Sequence, residues 1–71
     1  MIKITNEIGK GYLEALIKKY EAVIAGSEAT LNTYFNNSAG IGEHSDLIAE
    51  FDKHLEIIAA AKDKLEILKS I

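Results

Sequence analysis

Cysteine, proline, tryptophan and arginine are all absent from this chain of 71 residues. Without Cys there is no disulfide, no thiolate nucleophile and no zinc–thiolate site, and the redox compartment is left open. Arg is missing, and eight Lys stand against eleven Asp and Glu for a net charge of −3. There is therefore no basic surplus to hold a phosphate backbone, and nucleic acid is not an expected partner. No apolar run approaches the roughly 20 residues that span a bilayer. The opening Met1-Ile2-Lys3-Ile4-Thr5 is not followed by the apolar stretch of a secretory signal. A helix lying on a membrane surface needs Lys gathered on one face with little acid, whereas Glu and Lys alternate here, so no membrane role is expected.

What is present is apolar and helical in period. At 48% hydrophobic residues the chain exceeds the low hydrophobicity that intrinsic disorder requires. Its length allows one small domain, expected to cover residues 1–71. In the first half, Leu13, Ile17, Tyr20, Ile24, Leu31 and Tyr34 recur three and four apart, with one gap. In heptad terms Ile17, Ile24 and Leu31 occupy a positions, and Leu13, Tyr20, Ser27 and Tyr34 occupy d positions. The phase runs through Gly26-Ser27 without a slip, which predicts one continuous helix with a weak or close-packed point there, although Gly costs about 1 kcal/mol against Ala in a helix interior. The expected span is about 6–37, with Thr5 or Asn6 as N-cap. Gly9 and Gly11 lower propensity near its start.

Asn36 to Glu43 is a run of Asn, Ser and Gly that ends helices and shapes turns, and it places a joint at about 38–44. Ile41, between two glycines, is expected to turn inward at that end. Ser45 or Asp46 then caps a second helix to about residue 70, with Phe51, Ile58 and Leu65 at a and Leu47, His54, Ala61 and Leu68 at d. So short a joint between long helices predicts an all-α, antiparallel two-helix hairpin. Charge agrees with this pairing. Glu7, Glu14, Glu21 and Glu28 all fall at e on the first helix, and Lys62 and Lys69 fall at e on the second, which flanks the same side of an antiparallel seam.

One hairpin does not use all of the apolar surface. Leu16, Val23 and Phe35 on the first helix, and Ile48, Leu55, Ile57 and Ile67 on the second, widen each stripe beyond what one partner helix covers. A unit this small also buries little area against an ordering cost of roughly 1.5 kcal/mol per residue. Self-association is the expected resolution, most simply two hairpins forming a four-helix bundle about a two-fold axis. Its core would hold Leu13, Ile17, Tyr20, Ile24, Leu31, Phe51, His54, Ile58, Leu65 and Leu68.

Chemistry-bearing groups are sparse. Glu50 precedes His54 by four residues, and a carboxylate–imidazole pair can ligate metal or transfer protons. Di-iron bundles, however, use Glu-x-x-His, and the first helix offers no inward carboxylate or His. A packed, hydrogen-bonded His that fixes register is the preferred reading. Glu43-His44-Ser45-Asp46 reads as helix capping rather than an anion site, since the acids would repel an anion. Gly40-Ile41-Gly42 lacks the strand and Lys-Ser/Thr of a phosphate loop. No catalytic residue, metal ligand or cofactor is assigned, and the chain is expected to be no enzyme. The expected contact surface is the joint end, where Tyr34, Phe35, Ile41 and His44 coincide.

The run Asn36-Asn37-Ser38-Ala39-Gly40-Ile41-Gly42-Glu43-His44-Ser45-Asp46, with Asp52-Lys53 and Lys62-Asp63-Lys64-Leu65-Glu66 after it, resembles uncharacterised small proteins of T4-like phages of marine cyanobacteria. The similarity covers roughly the C-terminal half. All eight basic residues are Lys, Ile occurs eleven times and Asn is frequent, a bias toward AT-rich codons that agrees with it. The resemblance implies a virus-encoded protein acting in the host cytoplasm or packaged in the virion; the expected partners are a second copy of the chain, from its wide apolar stripes, and an unidentified host or virion protein. Three functions follow as expectations: an accessory interaction module, a structural subunit of a virion or larger assembly, or a small metal- or ligand-binding bundle at Glu50 and His54.

Overall fold

The computed structural model describes residues 2–37 and 46–71, and they form two α-helices packed side by side. Helix α1 spans Glu7–Asn36 and helix α2 spans Leu47–Lys69. The expected joint at 38–44, with Ile41 and His44, lies outside the described residues, as does Ser45.

Both helices begin where short polar side chains can take up free backbone N–H groups. Of the two candidate caps on α1, Asn6 serves: its Oδ1 accepts from Gly9 N at 2.8 Å. Asp46 does the same for α2, accepting from Ala49 N at 3.1 Å. The glycine at position 9 has a packing reason. A Cβ there would lie 2.9 Å from Ile4 Cγ2, so the bare Cα lets the extended chain before α1 lay Ile4 back over the first turn, where it is half-buried. Helix α1 is continuous through Gly26 and Ser27. A Cβ at Gly26 would meet nothing within 4 Å, and Thr30 Oγ1 donates to the Gly26 carbonyl at 3.1 Å.

The helices run antiparallel, which brings Ser27 beside His54, Tyr34 beside Phe51, and the Lys64 amine over Tyr20. The buried residues are Ser27 and Leu31 on α1 and Ala61 and Leu65 on α2, all at a or d. Leu13, Ile17, Tyr20, Ile24 and Tyr34 are half-buried along the same line, as are Leu47, Phe51, His54, Ile58 and Leu68 opposite. Ala61, at 2% exposure, is the most deeply buried of them.

The result is a rod with extents of 52 × 18 × 14 Å, two helix diameters wide and one thick. Its radius of gyration is 16.2 Å, against about 11 Å for a compact domain of this length. The accessible surface is 5452 Å², against about 4,400 Å² for a compact monomer of this mass. A single layer cannot surround a core.

Two stability predictions follow. Leu65→Ala, in the middle of the seam, should cost about 2–4 kcal/mol and abolish a cooperative thermal melt of so small a unit. Gly26→Ala should instead raise the melting temperature, by the equivalent of about 0.5–1 kcal/mol. Gly9→Ala should gain none of this, because its new methyl meets Ile4. Circular dichroism melts of the three variants check both statements.

Candidate interaction surface

Among the described residues, those singled out for chemistry or contact gather toward the joint end of the rod. Tyr34, expected on the contact surface, faces into the seam: its ring meets Phe51 edge-on at 5.6 Å and His54 at 5.8 Å between centroids. Its hydroxyl donates to Glu50 Oε2 at 3.5 Å. Phe35, the next residue, points outward at 70% exposure, with its ring 4.4 Å from that of Phe51. Phe51 thus links one aromatic inside the seam to one on the surface.

Glu50 and His54 engage separate partners. Glu50 takes the Tyr34 hydroxyl, whereas His54 Nδ1 lies 3.4 Å from Ser27 Oγ across the seam. At d positions on facing helices, Ser27 and His54 form a polar step in an otherwise apolar line, and sliding the helices past each other would separate them. This is the geometry of a register-fixing pair. Among the described residues no three His, Asp or Glu side chains converge in a way that could hold a metal ion.

The two sides of the seam differ. On one side, the g positions Val23 and Thr30 on α1 and Glu50 and Ile57 on α2 are half-buried. On the other side every e position is exposed: Glu7, Glu14, Glu21, Glu28 and Phe35 on α1, with Ile48, Leu55, Lys62 and Lys69 on α2. Ile48 and Leu55 are exposed by 78% and 54%. A groove of about 500 Å³ opens on this side, with Leu31 and Ile58 beneath, Phe35 and Leu55 as walls, and Glu28, Asn32 and Lys62 at its rim. The expected pairing of acids and lysines across the helices is not made. The ion pair found among the described residues is local, Lys10 to Glu7 at 3.3 Å. Exposed carboxylates and amines gain too little from each other in water to hold two long side chains in place.

Sequence reasoning placed Phe35 on this surface but did not join it to Leu55 and Lys62. The signal was present, since Phe35, Ile48 and Leu55 share the heptad position of the Glu and Lys rows. Toward the open end, Tyr20 is half-buried with Lys19 and Lys64 at 5.4 Å and 5.0 Å from its ring centre, cation–π contacts that shield its face. No helix among the described residues is long and apolar enough to cross a membrane.

The Tyr34 ring, rather than its hydroxyl, carries the packing at the joint end. Tyr34→Phe should cost less than about 1 kcal/mol, as a single 3.5 Å hydrogen bond is lost. Tyr34→Ala should cost about 2–3 kcal/mol, as contacts with Phe51 and His54 disappear. Thermal melts of the two variants separate the contributions.

No protein-family profile, curated protein or solved structure matches this chain.

Proposed function

We propose that this chain is a small non-enzymatic protein–protein interaction module, a helical hairpin that self-associates and presents one end to another protein. The observation that carries the reading is surface left over. Leu31, Ala61 and Leu65 are the buried hydrophobic residues among those described, while about 1,000 Å² more surface is exposed than a compact domain of this mass would show. Of the nine large hydrophobic residues exposed among those described, Phe35, Ile48 and Leu55 share the e side of the rod, and neighbouring exposed apolar residues mark a contact surface. No arrangement of groups on that side suggests bond-making chemistry.

The resemblance to small proteins of T4-like cyanobacterial phages supports a virus-encoded accessory factor working in the host cytoplasm. A structural subunit of a virion or larger assembly is the second reading, favoured by the elongated single-layer shape, which suits stacking into a larger bundle. Mass spectrometry of purified particles divides the two, because an accessory factor is absent from them and a structural subunit is present in fixed ratio.

For the module reading, immobilised parent chain should retain a specific protein from host lysate, and Ile41→Ala, in the joint, should lose it. Retention of the same proteins by parent and variant, or of none by the parent, would count against it.

A further inference from the structure

From the placement of charge and apolar side chains on the exposed e side, we infer that a second copy of this chain seats there, related by a two-fold axis along the length of the rod. The inference rests on the reading of the chain as a self-associating module and specifies the face and direction of that association.

The argument starts from the rows. Helix α1 carries only acid on this side until Phe35, and α2 carries Ile48 and Leu55 followed by Lys62 and Lys69. Across the seam Tyr34 lies level with Phe51, and Tyr20 with Lys64. Glu21 therefore lies level with Lys62, Glu14 with Lys69, and Phe35 near Ile48. None of these charged groups makes an ion pair across the helices, so the rows are free to face another surface.

Turning a copy by half a revolution about the long axis lays e face against e face. Helix α1 of each copy then runs antiparallel to α2 of the other at the same height. Glu14 and Glu21 of one copy meet the partner's Lys69 and Lys62, and the exposed Phe35, Ile48 and Leu55 of both copies meet at the joint end. The acidic row faces the basic row twice, by symmetry. The alternative axis, across the rod, would set the acidic row of α1 against its own copy and is disfavoured by like-charge repulsion. All four neighbouring helix contacts become antiparallel, as in an up-down-up-down bundle.

Area agrees with charge. A standard interface removes about 800 Å² from each partner, and the chain exposes about 1,000 Å² beyond a compact monomer. The groove between Phe35 and Leu55 receives the partner's side chains and closes over Leu31 and Ile58, whose burial the single hairpin leaves incomplete.

Charge reversal tests the arrangement. The acid-reversed chain is Glu14→Lys with Glu21→Lys, and the base-reversed chain is Lys62→Glu with Lys69→Glu. In sedimentation at low salt each should dimerise at least about tenfold more weakly than the parent. An equimolar mixture of the two should recover a 1:1 heterodimer, since opposite rows again face each other. The parent dimer itself should weaken as salt rises, whereas association about the crosswise axis would strengthen. Phe35→Ala, which removes an exposed ring at the cost of its contact with Phe51, should weaken dimerisation by about tenfold with helicity kept. Reversed chains and Phe35→Ala that dimerise as the parent does would overturn this face while leaving self-association standing. A parent that stays monomeric at every concentration would overturn both.

Discussion

Two helices lying side by side can bury one stripe each, and nearly everything else about this molecule follows from that limit. The seam holds residues at a and d, and its buried members among the described residues are Ser27, Leu31, Ala61 and Leu65. Residues one position beyond have no second layer to cover them. The rod is one helix thick, so Phe35, Ile48 and Leu55 remain in water even though their neighbours Leu31 and Ile58 lie at the contact. Hydrophobic burial scales with area removed from water, and a single seam removes little. The chain therefore presents a partly built core.

The seam is also less apolar than it need be. Ser27 and His54 place a polar pair where Leu would add more burial, and Tyr34 reaches out to Glu50. Such groups lower stability relative to well-packed hydrocarbon but discriminate among registers, because only one alignment gives each its partner. In a short hairpin with Leu and Ile repeating every seven residues, neighbouring registers would otherwise be close in energy.

The helices, their antiparallel pairing and the seam were legible in the sequence because heptad spacing of Ile, Leu and Tyr leaves one solution for two long segments and a short polar joint. Continuity through Gly26 was legible from phase alone, and the structure places no neighbouring group beside that glycine. Other features were not. The choice of Asn6 over Thr5 as cap depends on the path of Ile4 over Gly9, which has no periodic signature. The orientation of Tyr34 and Phe35 is set by a single helical step of about 100°, so sequence adjacency grouped one residue of the seam with one exposed at its edge, both packed on Phe51. The absence of ion pairs between the Glu and Lys rows follows from a balance between solvation and Coulomb attraction that residue spacing does not encode. Nor does spacing tell that the g side is half-buried at Val23, Thr30, Glu50 and Ile57 but exposed at Leu16 and Lys64, while every e position is exposed. Both sides carry apolar residues in the sequence.

The central claim is that order in this chain is tied to association. Light scattering on a sizing column, with helicity and melting followed by circular dichroism across a wide concentration range, tests it most directly. The account predicts a helical dimer whose melting temperature rises with protein concentration, because mass action links folding to association. A chain of monomeric mass with a cooperative melt that does not shift with concentration would contradict it.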